Sequence, residues 1–576
     1  MGVSRFRKMG LSLVGVALLA SLGLTGCSNN PGGGSSTGAD DGAKADDSAI
    51  TVFSGQVGNY TAPNFNPFNN TGAFLQPTQG AIYESLFYFN KAQVSDPVPL
   101  LGQSYSWNDD GTVLTIKIRE GVKFSDGTAM TADDVAFSLN LYASEPSMNG
   151  GTQRYDVKKV DDTTVELDFY EVGFTMEAAI VSTQAIVPKA LWEDIDDPTS
   201  GTNENPVGTG PYMLADNGYT PQAITLQRNP NYWGTGDEAP TIEWVRYVTL
   251  ANADAATTAL QQGEVDWMGS FLPTLDDIVA DSNGAITYSN TPLNTTSLFA
   301  CMNPDLGCSG PQTDPAVRQA MYYAMDRTQL NEQAGAGFGT PASPTLLLNT
   351  VNEPQITNQD WLETPQTADP AKAKSLLEAA GWALGDDGIY AKDGQRLSMT
   401  VIDVSGWTDY NTIAQLLVGQ FAEAGIELIV SDIAQNAWTQ AEVSGSYQLS
   451  LNSVNMQASS DPYFLYNYYL SSGATAKVGE STQSNNTRYS NTEVDDAIAT
   501  LATTNDDAVK AEQYGIIQQH LIDEMPMIPI YVNSALCEYN NSHATGWPEE
   551  GNLYVFPLPW GGNWGTGILL RTVRPV

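Results

Sequence analysis

The stretch from Gly111 to Leu141, GTVLTIKIREGVKFSDGTAMTADDVAFSLNL, carries the strongest local signals in the chain. Its apolar residues Leu114, Ile116 and Ile118 alternate with polar ones, which is the period-two pattern of a half-buried strand. Gly121 follows a glutamate and permits a turn directly after this pattern. The first half of the stretch therefore predicts a strand that turns sharply at its end.

The second half of the stretch predicts a short strand, a turn and a capped helix. Val122 and Phe124 resume the apolar alternation, and the Asp-Gly pair at 126–127 is a turn signal. Thr131 is expected to cap a helix, with Asp134 at its third position. A carboxylate there completes a capping box and also meets the positive end of the helix dipole.

The individual residues of this stretch are a more specific signal than its hydrophobic periodicity. Residues 118–128, IREGVKFSDGT, and residues 131–139, TADDVAFSL, resemble the signature of family 5 bacterial solute-binding proteins. Those proteins are extracytoplasmic receptors of ABC importers for peptides, some oligosaccharides and nickel complexes. Further phrases resemble the family, so that the likeness runs from about Ile50 to Val555: YESL at 83–86, PVGTGPY at 206–212, RNPNYW at 228–233, GEVD at 263–266 and PMIPIY at 526–531.

The resemblance implies an α/β, two-lobe periplasmic-binding-protein-like fold of the large type II form, with an extra subdomain inserted in lobe I. Ligand is expected to be enclosed when the lobes close, and two crossovers are expected near 288–294 and 530–534. The expected boundaries are 50–76, 205–290 and 535–576 for lobe I, 77–204 for the inserted subdomain, and 291–534 for lobe II.

Strand and helix signals alternate along the chain, which is typical of an α/β lobe. Asp-Pro pairs at 314–315 and 369–370 predict helix starts, because aspartate caps the helix and proline suits its first position. The other predicted elements are a strand at 50–53, a helix-like segment ending at 82–88, a hairpin from 157, helices at 174–186, 413–421, 491–501 and 508–522, and a strand at 426–430.

The N-terminus predicts export and a lipid anchor. Basic residues at positions 5, 7 and 8 precede an apolar run, Leu11 to Leu24, that is too short to span a membrane with margin. The run ends in LTGC, which resembles a bacterial lipobox and implies a lipoprotein signal peptide at 1–26 and lipid on Cys27. A chance cysteine after a secretion signal is the alternative. Residues 27–49 are rich in Gly, Ser and Asp and predict a flexible linker.

Charge excludes several classes of partner. The chain has 25 Lys and Arg against 66 Asp and Glu, a formal net charge of −41. Binding to nucleic acid or directly to anionic lipid needs a basic surface, so the lipid is the only membrane contact that we expect. Solubility explains the charge, and selection of a cationic solute is the alternative. The expected partners are the ligand and ABC permease subunits in the membrane, with the receptor itself a monomer.

No catalytic or metal constellation stands out in the sequence. Cys301 and Cys308 form a candidate disulfide, which leaves Cys537 over. His520 and His543 are the only histidines and lie far from these cysteines, so no zinc site and no cofactor are expected. Acidic pairs are most simply caps, turns and solvated faces. We expect no enzyme, and a secreted glycosidase that uses two carboxylates is the remote alternative.

One position favours a sugar over a peptide. Peptide receptors of the family hold the ligand's α-ammonium with an aspartate, in a phrase resembling Trp-x-x-Asp-x-x-(acid)-Pro. Here Asp461 and Pro462 match its end, which places Asn455 at the tryptophan and Ala458 at the anchoring aspartate. A methyl group does not neutralise an ammonium removed from water. The resemblance therefore favours an oligosaccharide, and di- or oligopeptides remain the alternative.

The candidate ligand-binding residues are aromatic or carry amide and carboxylate oxygens. Pyranose rings present C–H faces to aromatic rings, and their hydroxyls need polar partners. The loop at 64–68 and the WTD phrase at 407–409 resemble the oligosaccharide-binding branch of family 5, which takes β-linked gluco- or manno-oligosaccharides. Packing in the lobe cores is the competing interpretation for these aromatics. The candidates are Asn64, Phe65, Asn66, Trp407, Trp438, Asn455, Gln457, Asp461 and Tyr463.

Overall fold

A computed structural model describes residues 49–69, 76–149, 151–455, 461–559 and 563–576. The predictions for the signal segment, Cys27, Gln457 and Ala458 lie outside these residues. The strands are β1 (Ala49–Phe53), β2 (Phe87–Tyr88), β3 (Val98–Pro99), β4 (Gly102–Trp107), β5 (Val113–Ile118), β6 (Tyr155–Asp161), β7 (Thr164–Phe169), β8 (Tyr212–Thr220), β9 (Ala223–Arg228), β10 (Trp244–Val248), β11 (Trp267–Met268), β12 (Ile286–Ala300), β13 (Thr340–Pro341), β14 (Ala383–Leu384), β15 (Tyr390–Lys392), β16 (Gln395–Arg396), β17 (Ser398–Val404), β18 (Glu427–Ile433), β19 (Leu449–Asn455), β20 (Met527–Asn540), β21 (Ala544–Thr545) and β22 (Arg574–Pro575).

Helices lie between these strands. The α-helices are α1 (Ala132–Ser144), α2 (Pro146–Asn149), α3 (Glu177–Thr183), α4 (Lys189–Trp192), α5 (Ala253–Gln262), α6 (Leu275–Asp281), α7 (Pro315–Ala324), α8 (Arg327–Ala334), α9 (Asn349–Asn352), α10 (Pro370–Ala379), α11 (Thr408–Glu423), α12 (Gln435–Ser444), α13 (Pro462–Leu470), α14 (Thr492–Thr503), α15 (Asp507–Glu524) and α16 (Thr566–Thr572).

One large mixed sheet runs through the molecule. Its strand order is β18-β17-β19-β12-β20-β11-β1-β10-β9-β8, with β13 paired to β20. At one end β17 is parallel to both β18 and β19, and toward the other end β1 is parallel to both β10 and β11. Between them the long strands β12 and β20 pair antiparallel. A separate sheet of order β4-β5-β7-β6 stands apart from it.

The three largest hydrophobic cores of the described residues lie in different parts of the fold. The first core contains side chains of β1, β9, β10 and α16. The second core contains side chains of β17, β19, α7, α11 and α13. The third core contains side chains of β5, β7 and α1, between residues 86 and 186. Strand β20 connects the first two, because Ile528 and Ile530 pack in the second core while Cys537 and Tyr539 pack in the first.

The structure confirms the elements with clear cap chemistry and corrects two others. Asp314 caps α7, Asp369 caps α10, and Asp134 accepts from the Thr131 N–H at 2.8 Å. The strand predicted at Val122 and Phe124 is wrong, since only an isolated bridge joins residues 123 and 129. The helix-like segment is wrong in its predicted end at 82–88, because helical residues at 76–78 are followed by turns and the chain enters β2 as extended backbone.

Four of the phrases that resemble the family meet around one buried carboxylate, which we call the junction: those at 83–86, 118–128, 206–212 and 228–233. Glu84 is 2% exposed and accepts hydrogen bonds from Trp233 Nε1 at 2.9 Å and from Tyr232 Oη at 3.1 Å. Arg571 Nη1 donates to the same Tyr232 oxygen at 3.1 Å. The Trp233 ring also lies 3.9 Å from the guanidinium of Arg119 and 5.3 Å from that of Arg571. Residues from four distant parts of the chain therefore hold one another in place.

Backbone contacts extend this junction. The Ser125 N–H donates to the Gly208 carbonyl at 2.9 Å, and Asn231 Nδ2 donates to the Ser125 carbonyl at 3.1 Å. A Cβ atom at position 208 would lie 2.1 Å from the Ile82 carbonyl oxygen, so the close approach of the two backbones requires glycine. The junction connects the first and third cores and has a structural role.

Candidate functional site

The strand order reverses beside the second core. From β17 the chain passes through α11 to β18 on one side, and then through α12 to β19 on the other side of β17. Open α/β sheets bind ligands outside the carboxyl ends of parallel strands at such a reversal of order. Five candidates follow these strand ends, and we call them the strand-end site: Trp407, Trp438, Asn455, Asp461 and Tyr463.

The two tryptophans of the strand-end site contact each other. The ring centroids of Trp407 and Trp438 are 5.5 Å apart at 62°, and Tyr410 lies at the same centroid distance from Trp407. Trp438 is 8% exposed, and its Nε1–H has no acceptor among the described residues. Buried N–H groups normally have a partner, so this donor is an exception among the described residues.

A buried carboxylate positions Trp407. Asp403 is fully buried at the end of β17 and accepts a hydrogen bond from Asn411 Nδ2 at 2.6 Å. The same amide nitrogen donates to the Val404 carbonyl at 3.0 Å, and the Asn411 oxygen accepts from the Gly406 N–H at 3.2 Å. Burial raises the pKa of Asp403 to about 6. This network fixes the turn that carries Trp407.

A second buried carboxylate anchors the helix of Trp438. Glu442, one turn further along α12, accepts hydrogen bonds from Ser450 Oγ at 2.7 Å and from Asn452 Nδ2 at 2.8 Å. Arg488 Nη1 donates to the Glu442 carbonyl at 2.8 Å. Burial raises the pKa of Glu442 to about 7. Helix α12 is therefore tied to β19, which keeps the indole of Trp438 in one position.

The remaining strand-end candidates have partners within the protein. Asn455 Oδ1 accepts from Asn294 Nδ2 at 3.1 Å, which links β19 to β12. Asp461 caps α13 by accepting from the Tyr463 N–H at 2.9 Å, and it accepts from Tyr514 Oη at 2.9 Å. Tyr463 is half-buried beside Phe464, at a centroid distance of 5.3 Å. Asp461 is thus mainly structural, and the Tyr463 ring is half-buried.

The loop candidates at 64–66 pack elsewhere. Phe65 is fully buried in the first core. Asn66 is 2% exposed, and its Nδ2 donates to the carbonyls of Pro198 at 2.7 Å and Gly201 at 2.8 Å. Asn64 Oδ1 accepts from the Asn66 N–H at 3.2 Å. The structure does not bring these side chains into the tryptophan pair, and their contacts hold the loop against residues 198–203.

Sequence reasoning missed the groups that support the site. Tyr410 lies three residues after Trp407, and its hydroxyl is hydrogen-bonded to Ser453 Oγ on β19. Helical spacing could have paired Tyr410 with Trp407, since residues three apart share a helix face. Asp403 and Asn411 carried no such signal, because their roles depend on a turn that only the folded chain defines.

The histidines and cysteines lie in local structural contacts. His520 lies between Glu493 and Glu524, at 2.9 Å from each, and His543 Nδ1 is 2.8 Å from Asp266. Over the described ranges, no group of three His, Cys, Asp or Glu side chains could hold a metal ion. Cys301 and Cys308 form a disulfide, while Cys537 is buried with a free thiol.

Comparison with known proteins identifies the class. Residues 96–476 match the bacterial extracellular solute-binding proteins, family 5 middle region. The chain belongs to this family. It is 28% identical over 514 residues to the glutathione-binding protein GsiB of Escherichia coli strain K12. The aligned region covers 84% of this chain and 90% of that protein.

Solved structures share the fold. A periplasmic oligopeptide-binding protein of an oligopeptide ABC transporter from Thermotoga maritima has a TM-score of 0.79 at 24% identity, covering 92% of this chain and 100% of that one. Its mannohexaose-bound structure has a TM-score of 0.68 at 23% identity, covering 92% and 99%. Oligopeptide-binding AppA from Bacillus subtilis, in complex with a nonapeptide, has a TM-score of 0.60 at 23% identity, covering 89% and 98%.

These findings establish the general role of the protein. The fold is the two-lobe type II periplasmic-binding-protein architecture. The protein is the extracytoplasmic substrate-binding receptor of an ABC importer, and it works with permease subunits of that importer. Within the described part of the chain, no helix combines the length and apolar character needed to cross a bilayer.

Proposed function

We propose that this receptor captures a short, neutral oligosaccharide, of β-linked gluco- or manno-type, at the strand-end site. The observation that carries the proposal is the Trp407–Trp438 pair, in which a buried indole N–H has no acceptor among the described residues. A pyranose ring supplies a C–H face for an aromatic ring and a hydroxyl oxygen for that N–H. One sugar residue therefore satisfies both features at once.

Charge around the strand ends disfavours an anionic ligand. Besides its burial, the pKa of Asp403 is raised by the negative charges of Asp432 and Asp409. An anionic ligand would meet these like charges. The position expected to anchor a peptide ammonium is Ala458, which has no charge to offer.

Peptides, including glutathione, are the second candidate. The observation that favours them is the relationship to GsiB, a glutathione-binding protein by name, over most of both chains. The fold itself accommodates both classes, because the similar structures include a mannohexaose complex and a nonapeptide complex. The chemistry of the strand-end site, rather than the fold, is the basis for preferring the sugar.

A thermal-shift panel tests the choice. The purified mature protein is heated with manno-, cello-, xylo- and galacto-oligosaccharides, and in parallel with glutathione and di- to hexapeptides. A ligand that binds only the native state at about 100 times its Kd adds about 2.7 kcal/mol of stability. We expect a clear rise in Tm with a gluco- or manno-oligosaccharide. A rise only with free-amine peptides, lost on N-acetylation, would contradict the sugar and leave the receptor role intact.

We also propose that the receptor is held to the outer face of the cell membrane by lipid on Cys27, with the linker at 27–49 as its tether. Cells expressing the full chain and labelled with a radioactive fatty acid should incorporate label, and Cys27→Ala should abolish it. Cys537→Ala is the matched control and should label normally. Equal labelling of the wild type and Cys27→Ala would exclude this anchor.

A further inference from the structure

The C-terminal end of α12 is held by one segment of the chain, residues 479–488. The last three carbonyl groups of the helix accept hydrogen bonds from it: Glu442 from Arg488 Nη1 at 2.8 Å, Val443 from the Thr482 N–H at 2.9 Å, and Ser444 from the Gly479 N–H at 2.8 Å. Carbonyl groups at a helix end have no partner within the helix and need donors from elsewhere. The position of this helix end therefore depends on the segment at 479–488.

Arg488 links the helix end to the rest of this segment. Its side chain is fully buried and donates to four backbone carbonyl groups: those of Glu442, Val443 and Asn486 at 2.8 Å each, and that of Glu480 at 3.3 Å. Two of these groups belong to α12 and two to the segment. A planar, always charged guanidinium joins several acceptors at once, and a cation also stabilises the negative end of a helix dipole.

The surrounding backbone holds the Arg488 side chain in this direction. The φ angle of Arg488 is 59°, a left-handed conformation that is uncommon outside glycine. Asn485 fixes the chain there, because its Nδ2 donates to the Tyr489 carbonyl at 2.9 Å and its Oδ1 accepts from the Tyr489 N–H at 3.2 Å. A Cβ atom at Gly445, directly after α12, would lie 2.7 Å from the guanidinium carbon, so this close approach requires glycine.

These contacts lie one helical turn from Trp438. Trp438 and Glu442 are four residues apart in α12, so they share a face of the helix. The Glu442 side chain ties that face to β19, whereas Arg488 ties the helix end to the segment at 479–488. The helix that carries the indole is thus held at its last turn by two separate contacts, and neither of them involves an atom of the ring.

We propose that Arg488 is a positioning residue of the strand-end site, which holds α12 so that the indole of Trp438 keeps one orientation against Trp407. Arg488 acts through the helix and does not touch the ligand. Its effect on binding rests on the proposed function, but its effect on Trp438 does not depend on which ligand is bound. Without Arg488 the helix end loses donors, its last turn loosens, and the indole samples several orientations.

The test compares Arg488→Met, which removes the charge and the donors, with Arg488→Lys, which keeps the charge but not the planar fork. Arg327→Met is the matched control. Arg327 is also fully buried and donates to carbonyl groups outside α12, those of Tyr322, Pro365 and Pro529. Its loss should destabilise the protein to a similar extent without affecting α12.

Fluorine NMR of the purified, ligand-free protein, labelled with fluorotryptophan, reports the surroundings of each indole. The Trp438 resonance is the one that Trp438→Phe lacks. We expect this resonance to shift or broaden in Arg488→Met, to do so less in Arg488→Lys, and to stay in place in Arg327→Met.

Calorimetry with β-linked gluco- and manno-tetrasaccharides measures the effect on binding. Arg488→Met should raise Kd about fivefold, because binding must then also restore one orientation of the ring. Arg488→Lys should raise Kd less, and Arg327→Met should leave it unchanged.

A Trp438 resonance that is unchanged in both Arg488 variants, or changed as much in Arg327→Met, would overturn the positioning role. A changed resonance with wild-type affinity for the sugar would overturn it too, since α12 would then position no ligand contact. If Arg488→Met does not fold, the resonance of Arg488→Lys decides the same question. If the wild type binds neither tetrasaccharide, the proposed function fails, while the resonance still decides whether Arg488 positions Trp438.

Discussion

Replacing Glu84 with leucine is expected to lower the free energy of unfolding by about 3 kcal/mol. The substitution removes the acceptor of two donors on half-buried side chains, Trp233 Nε1–H and Tyr232 Oη–H. Each buried donor left without a partner costs about 1–3 kcal/mol. Arg571, whose side chain is 7% exposed, also loses its favourable charge interaction with Glu84 and keeps the half-exposed Glu238 at 3.7 Å. The substitution also removes the free-energy cost of burying the Glu84 carboxyl group, which offsets part of this loss.

Glu84→Gln is the matched control, because it keeps the shape and one acceptor oxygen. Burial raises the pKa of Glu84 to about 7. A raised carboxyl pKa means that the folded state holds the proton more tightly than the unfolded state, so wild-type stability from this group declines as pH rises from about 4.3 toward 7. Glutamine does not titrate. The deficit of Glu84→Gln should therefore be larger at pH 5 than at pH 8.

Urea unfolding followed by circular dichroism at both pH values measures these differences. The ligand-binding cleft is not involved, so Glu84→Gln should bind ligand with the affinity of the wild type. A Glu84→Leu protein as stable as the wild type would show that the junction does not support the fold. It would then leave the coincidence of the four phrases without a physical explanation.

The motifs that resemble the family were recognisable in the sequence, but their structural role was not. Glu84 and Trp233 are separated by 149 positions, and nothing local in either phrase indicates that Glu84 accepts a hydrogen bond from Trp233. The sequence predicted a tight backbone turn at Gly208. It did not predict that the Ile82 carbonyl packs against this glycine, because that contact depends on the fold. The class could therefore be recognised from the sequence motifs. The structural role of those motifs became visible only in the long-range contacts of the folded chain.

Local chemistry explains which elements were predicted well. Helices α7 and α10 begin at the Asp-Pro pairs, because capping and the first-turn proline act within a few residues. Val122 and Phe124 have the same alternation as β5 but do not form a strand. Strand formation needs a partner, and the chain turns back there after a single bridge. Alternation shows which side chains are buried more reliably than it shows which residues pair.

The sequence predicted only part of the candidate site. Trp407 and Trp438 follow the ends of parallel strands, where the fold class alone places ligands. Phe65 and Asn66 came from the same resemblance, yet they lie in a packed loop. Aromatic and amide residues serve both cores and sugar sites, so composition does not separate the two. What separates them is an unused donor or an exposed face, which is a property of the folded structure.

Truncation of Trp407 is expected to weaken ligand binding most. Removal of one large aromatic contact costs about 2 kcal/mol, which is about a 30-fold rise in Kd. Trp407 is half-buried and follows β17 in a turn held by Asn411, so Trp407→Ala removes a ring face with little effect on the core. Calorimetry with a β-linked tri- or tetrasaccharide measures the loss.

Trp438→Phe separates the N–H from the ring. Trp438 packs in the second core, where truncation to alanine would destabilise the protein, whereas phenylalanine keeps an aromatic ring there. If the unpaired N–H serves the ligand, Trp438→Phe should raise Kd about fivefold to tenfold, the value of one net hydrogen bond. Its Tm without ligand should stay near that of the wild type, since that N–H has no acceptor among the described residues. Trp361→Phe, at a half-buried tryptophan that packs against the same core, should change neither quantity by much. Unchanged sugar affinity in both Trp407→Ala and Trp438→Phe would place the ligand away from the strand-end site.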